Sequence, residues 1–204
     1  MIKNIIFDLG GVLYNVDYQR TVQRLSDLFF RTMEFSQEKE WSIIAEYEKG
    51  NISTEIFREK LSSAFGFEGN VENGSFDAAW NSMLQGFYEY AQPVINTLLH
   101  QGYSIVILSN INSLHLEYIQ NHSPSIFSSV KHVFFSCEIG LRKPEISCFR
   151  HVIDICAWDP QETLFVDDAE RHCKAAASLG IHTLHWKSSP HSIHEALTIL
   201  QKYL

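Results

Sequence analysis

Cysteine is scarce in this sequence. It has four in 204 residues, Cys137, Cys148, Cys156 and Cys173, and no Cys-x-x-Cys pair. A disulfide scaffold and a thiolate zinc site are therefore not expected. A chain of this length can bury a core without covalent staples, so the thiols are read as free and the compartment as a reducing cytoplasm. Cations are also in deficit, with 16 Lys and Arg against 24 Asp and Glu, a formal net charge of −8 and no long basic run. Nucleic acid is excluded as a partner on that balance, because phosphate backbones need cations to meet them. No apolar run approaches the roughly 20 residues of a membrane span. The opening MIKNIIFDLGG brings an acid and two glycines too early for a secretory signal peptide. HExxH, His/Cys zinc spacing, GxSxG and the Walker loop are all missing, and the ten scattered histidines are read as surface or core residues.

What is present is a foldable composition, 45% hydrophobic and 13% aromatic, which excludes disorder as the main state. Short apolar runs stand out. Ile5-Ile6-Phe7 ends at Asp8, Tyr103 to Leu108 at Ser109-Asn110, His132 to Phe135 at Ser136, and Leu164-Phe165-Val166 at Asp167-Asp168; Ile181 to Leu184 comes last. They lack strict polar alternation, the pattern of strands buried on both faces of a parallel sheet. Helical patterns separate them, at Ala91–Gln101, Asn112–Gln120, Pro144–Ala157 and Ala169–Leu179, two of them stopped by Gly102 and Gly180. Asp159-Pro160 reads as a cap and first-turn proline. Alternating strand and helix predicts an α/β fold, a Rossmann-like parallel sheet core. The stretch 18–90 is different. Helical patterns over Thr21–Met33, Gln37–Lys49, Thr54–Phe65 and Phe76–Phe87, broken at Gly50-Asn51 and from Gly66 to Gly74, predict an inserted α-helical cap. The core is then 1–17 and 91–204. Aromatic residues of the cap, Trp41, Tyr47, Phe76 and Trp80, can line a pocket or form the cap's own core.

Ligands of open parallel sheets bind at the carboxyl ends of the strands. That end would collect Asp8, Ser109, Asn110, Asp167 and Asp168, with Lys143 from the segment Leu141-Arg142-Lys143-Pro144-Glu145. Asp after a strand is also common as a turn or cap residue. Three carboxylates side by side repel, and a hard cation such as Mg²⁺, which takes carboxylates, carbonyls, waters and phosphate oxygens, relieves the repulsion. A carboxylate at a strand tip can attack phosphorus. Gly10-Gly11 allow a tight turn that brings N–H groups near a phosphoryl oxygen. Ser109 and Asn110 can hold phosphate oxygens, and Lys143 can answer developing negative charge.

Phe7-Asp8-Leu9-Gly10-Gly11-Val12, Leu108-Ser109-Asn110, Arg142-Lys143-Pro144-Glu145 and Phe165-Val166-Asp167-Asp168 resemble, in order, the four motifs of the haloacid dehalogenase-like hydrolases. Within that superfamily the chain resembles the small α-D-glucose-1-phosphate phosphatases, including the cap segment Glu48-Lys49-Gly50-Asn51-Ile52-Ser53. The resemblance implies Asp8 as nucleophile, Ser109 as phosphate ligand and Lys143 as the neutralising cation. It places Mg²⁺ on the Asp8 carboxylate, the Gly10 carbonyl and Asp168, with Asp167 adjacent. Most phosphatases of the superfamily carry an Asp two residues after the nucleophile as general acid; here that position is Gly10. The expected activity is a Mg²⁺-dependent phosphomonoesterase using an aspartyl phosphate, acting on a small phosphorylated metabolite such as a sugar 1-phosphate. The alternatives are a metal-free dehalogenase and a catalytically weak phosphate-binding protein. The expected state is a monomer or weak homodimer.

Overall fold

The computed structural model describes residues 1–32, 34–35, 38–67, 71–122, 125–187 and 190–204. Along the chain come β1 (Asn4–Phe7), β2 (Tyr14–Val16), α1 (Tyr18–Leu28), α2 (Glu38–Glu48), α3 (Thr54–Ala64), α4 (Asn73–Asn81), β3 (Leu84–Phe87), α5 (Ala91–His100) and β4 (Ser104–Ser109). They are followed by α6 (Ser113–His122), α7 (Ser125–Ser129), β5 (His132–Phe135), α8 (Ser136–Ile139), α9 (Ile146–Cys156), a 3₁₀ turn (Pro160–Glu162), β6 (Thr163–Asp167), α10 (Glu170–Ala177), β7 (His182–His185) and α11 (Ile193–Leu200).

Five strands make one parallel sheet in the order β5-β4-β1-β6-β7. β1 is central, with Ile5 opposite Ile105 and Leu164, and Phe7 opposite Ile107 and Val166. Successive side chains of a strand point to opposite faces, and here both faces are covered. Ile5, Phe7, Ile107 and Val166 pack with Val94, Ile95 and Leu98 of α5 and Leu200 of α11. Ile6, Val106, Leu108 and Phe165 pack with Phe149 and Val152 of α9 and Ala176 of α10. Two buried faces explain why these runs show no polar alternation.

The inserted helices build a separate cluster around Leu25, Ile43, Tyr47, Phe57, Phe76 and Trp80, with the Tyr47 and Phe57 rings stacked at 4.1 Å and Phe57 edge-on to Trp80 at 4.9 Å. Ser53 accepts a hydrogen bond from the Ile56 N–H and starts α3. The expected helix ends at Met33 and Gln37, and part of the Gly66–Gly74 stretch, lie outside the described residues.

One expectation about the cap is corrected. Phe76–Phe87 is not one helix: α4 ends at Asn81, and Leu84–Phe87 is a strand paired antiparallel with β2. The apolar spacing Phe76, Trp80, Met83, Phe87 has helical period, but β2 offers a pairing partner about 70 positions earlier, and Gly86 has φ 115°, which no helix contains. The resulting two-stranded ribbon lies where the chain leaves and re-enters the core. No helix among the described residues is long and apolar enough to cross a membrane.

Candidate active site

The sheet order reverses at β1, with β4 on one side and β6 on the other. A crevice opens beyond the carboxyl ends at such a switch point. Asp8 leaves β1 there, its N–H still bonded to the Val166 carbonyl at 2.9 Å. Ser109 and Asp167 are the last residues of β4 and β6. Lys143 arrives from the loop between α8 and α9.

Lys143 is almost fully buried. Its Nζ donates to Asp8 Oδ1 at 2.7 Å and to Asp167 Oδ2 at 2.6 Å. The Phe165 ring lies under it, with the centroid 5.5 Å from Nζ. Burial opposes its charge, yet the two carboxylates together push its pKa above the ordinary lysine range. Asp8 behaves in the opposite way to Asp167. Burial pushes Asp8 up to about 8; Lys143 opposes that rise, while the charges of Asp167 and Asp168 add to it. Asp167 is desolvated too, but Lys143 and the hydrogen bond from His172 hold it below the usual carboxylate range.

The supporting contacts explain that split. Asp167 Oδ1 accepts from the Ala169 N–H at 2.7 Å, and His172 Nδ1 donates to the same carboxylate at 3.0 Å. Both Asp167 oxygens are thereby engaged. Asp8 Oδ1 takes the Leu9 N–H at 2.7 Å besides Lys143, while Oδ2 has no hydrogen bond among the described residues. Asp168 is exposed and its carboxylate is open. Gly11, at φ 72°, sits so close to it that a Cβ would collide with Asp168 Oδ2.

Of the residues singled out in the sequence, Asp8, Gly10, Ser109, Asn110, Lys143 and Asp168 all border one cavity of about 890 Å³. The Ser109 hydroxyl has no partner among the described residues. Asn110 borders the cavity but uses its amide on the loop: Nδ2 donates to the Lys143 carbonyl at 2.8 Å and Oδ1 accepts the Lys143 N–H at 2.8 Å. It therefore positions Lys143. Gly11 buttresses Asp168 and is not among the cavity residues. Of the cap aromatics, Trp41 and Trp80 face the cavity, whereas Tyr47 and Phe76 belong to the cap's core.

His172 and the ion pairs flanking Lys143 were not legible in the sequence. Arg142 donates from Nε and Nη2 to Glu48 Oε2, at 3.0 and 2.6 Å, and Lys49 pairs with Glu145 at 2.5 Å. Both pairs join the end of α2 to the loop that carries Lys143. A histidine five positions after a strand-ending Asp, in the first turn of the next helix, is the signal that marks His172.

One carboxylate oxygen each from Asp8, Asp167 and Asp168 lies within 4.8 Å of the others. Hard oxygen donors at a strand tip, with more negative charge than Lys143 cancels, fit a small divalent cation. Asp8 and Asp168 have the open oxygens; Asp167 does not.

A family model described as haloacid dehalogenase-like hydrolase matches residues 2–180. The chain belongs to this family. It is 30% identical over 194 residues to a D-ribitol-5-phosphate phosphatase of Bacteroides thetaiotaomicron, covering 90% of this chain and 91% of that one. It is 25% identical over 202 residues to a sesquiterpene phosphatase of Aspergillus oryzae, covering 92% and 91%. A family enzyme of Bacteroides thetaiotaomicron, solved in complex with magnesium and inorganic phosphate, superposes with a TM-score of 0.79 at 32% identity, covering 90% of this chain and 93% of that one.

Proposed function

We propose that this hydrolase is a Mg²⁺-dependent phosphomonoesterase that works through an aspartyl phosphate on Asp8. The observation that carries the reading is the buried Lys143 ammonium shared by Asp8 and Asp167 beside the open carboxylate of Asp168. Asp8 and Asp168, with the Gly10 carbonyl, would hold Mg²⁺, which when bound supplies positive charge to phosphate oxygens. The magnesium and phosphate complex of the relative supports the same assignment.

Asp8 Oδ2 attacks phosphorus, and the bond from phosphorus to the ester oxygen breaks. The departing alkoxide takes a proton from solvent, leaving an alcohol and phospho-Asp8; the attacking water of the second step returns one. Water then attacks phosphorus, the bond to Asp8 breaks, and inorganic phosphate leaves with the carboxylate restored. Lys143 and the Ser109 hydroxyl hold phosphoryl oxygens, and the inserted helices cover the site.

The relatives act on the phosphates that their names give, one a polyol and one a sesquiterpene, so a phosphorylated small molecule is the shared substrate class. The sugar 1-phosphate implied by the sequence resemblance has a good leaving group, as does an aryl phosphate. A metal-free dehalogenase is disfavoured by Asp168, whose open negative charge beside Asp8 has no use without a cation.

The test is hydrolysis of p-nitrophenyl phosphate with Mg²⁺ and with EDTA. Turnover in Mg²⁺ and its loss in EDTA are expected. Equal rates in both would refute the metal assignment, and halide release from a 2-haloacid in EDTA would favour the dehalogenase.

Gly10 leads to a second expected result. No side chain there can protonate the leaving group, and general acid catalysis is worth about 10²–10⁴-fold. Aryl phosphates should therefore react much faster than primary alkyl phosphates. Gly10 lacks a positive φ, and a Cβ would meet Val16 Cγ2 at an ordinary 3.5 Å, so the backbone admits a side chain in Gly10→Asp. It should narrow the gap between the two substrate types by about tenfold or more. An unchanged ratio in a folded variant would show that position 10 does not set the leaving-group dependence.

A further inference from the structure

The phosphoryl chemistry gives no role to Glu48-Lys49-Gly50, the segment in which α2 ends. Yet each of these three residues meets the core next to Lys143. Glu48 Oε2 accepts from Arg142 Nε and Nη2, at 3.0 and 2.6 Å. Lys49 Nζ pairs with Glu145 Oε1 at 2.5 Å. The Gly50 backbone, at φ 70°, presses on α8 so closely that a Cβ there would collide with the Cys137 carbonyl oxygen.

Arg142 and Glu145 are the two ends of one tight turn. The Glu145 N–H donates to the Arg142 carbonyl at 3.0 Å, which closes a four-residue loop with Lys143 and Pro144 at its centre. On the core side, Asn110 holds that turn by both the N–H and the carbonyl of Lys143. On the other side, two consecutive residues, Glu48 and Lys49, hold its first and last residues. The two pairs have opposite polarity, since the turn offers a cation to Glu48 and an anion to Lys49. A turn seated the other way round would set like charge against like charge, so the pairs specify one arrangement.

These are not loose surface charges. The Glu48 and Arg142 side chains are only 17% and 24% exposed. Burial raises the Glu48 pKa above the ordinary carboxylate value, and Arg142, then Lys143 and His172, oppose the rise. The Glu48 carboxylate is therefore within electrostatic reach of the same two side chains that hold Asp167. Lys143 has little tolerance for displacement. Its Nζ stands between Asp8 and Asp167 at 2.7 and 2.6 Å, and a misplacement of about 1 Å can cost on the order of 10²-fold in rate.

We propose that Glu48 and Lys49 are positioning residues: they fix the Arg142–Glu145 turn, so that the Lys143 ammonium reaches Asp8 and the phosphoryl group only while the end of α2 is seated on the core. This rests on the phosphomonoesterase reading above. The inserted helices then do more than enclose a substrate, because their docking completes the site.

The test is p-nitrophenyl phosphate hydrolysis in Mg²⁺ by Glu48→Gln/Lys49→Met, made in the native chain and in Lys143→Met. In the native chain kcat should fall by about 10- to 100-fold, with KM changed by less than about threefold. In Lys143→Met the same two substitutions should lower kcat by less than about twofold, because the group they position is gone. Exchanging partners, Glu48→Arg with Arg142→Glu, should raise kcat by at least about threefold over Glu48→Arg alone. A merely structural role would lower the thermal midpoint and cut kcat alike in both backgrounds. Glu48→Gln alone, which keeps the shape of the side chain, gives the same comparison if the double variant does not fold. Native kcat in a folded variant overturns the proposal and leaves the phosphatase reading standing, and so does a loss of equal size in the Lys143→Met background. No hydrolysis by the native enzyme in Mg²⁺ overturns the phosphatase reading, and the proposal falls with it.

Discussion

Asp8→Asn should lower turnover of p-nitrophenyl phosphate by at least about four orders of magnitude, as expected for removal of a nucleophile. The substitution keeps shape and volume, so the Lys143 ammonium retains Asp167 Oδ2 at 2.6 Å. It should not unfold the protein, and in EDTA it should have a stability signature. Burial raises the pKa of Asp8 to about 8 from the ordinary aspartate value of 3.8. A carboxyl raised in the folded state contributes stability that is fully present below its unfolded pKa and is lost as pH rises through the folded one. The loss for the metal-free native protein therefore spans pH 3.8 to about 8. Asparagine does not titrate, so the thermal midpoint of the variant relative to native should rise over that interval. A difference that is flat with pH would show that Asp8 is not a strained buried acid. Substantial residual turnover in a clean preparation would remove the aspartyl phosphate from the mechanism.

Lys143→Met should act on both catalysis and stability. The side chain keeps most of its length and loses the charge. A well-placed donor to developing negative charge is worth roughly 10²–10³ in kcat, so kcat should fall by about that factor; a change confined to KM would mean that Lys143 only gathers substrate. Removing one partner of a buried charge cluster typically costs about 3–5 kcal/mol. The lower figure is expected here, because His172 and the Ala169 N–H still hold Asp167. The acid limb provides the check. Asp167 is held below the ordinary carboxylate range, chiefly against its own burial, by Lys143. Such a group contributes stability above its unfolded pKa of about 4 and loses it as pH falls through the folded value. The variant lacks much of that contribution from the start. The gap in thermal midpoint between native and variant should therefore be widest near neutrality and close on acidification. A gap that stays constant down to pH 3 would place the cost in packing against Phe165 and not in charge.

Much of this protein was legible in the sequence by itself. Apolar runs without alternation, each ending in a polar residue, marked the parallel strands and the edge where Asp8, Ser109 and Asp167 would meet. Buried strands must be apolar on both faces, and chemistry must sit where the strands stop. The helices α1 to α4 were legible as helical period, but β3 was not, because Leu84–Phe87 carries the spacing of a helix and becomes a strand only by pairing with Tyr14–Val16. Tertiary structure alone decided how the site residues divide their work. Asn110 has a side chain suited to phosphate, yet spends it on the Lys143 backbone. Asp167 and Asp168 are adjacent and chemically identical, but one is buried and fully bonded while the other is exposed and open, since neighbouring residues at a strand end point in opposite directions. Pairings around the cavity were likewise hidden. Thr21 and His115 read as polar, and only the tertiary structure brings both against the Trp80 carbonyl. Composition specifies which groups a chain contains; the fold determines which of them remain unpaired.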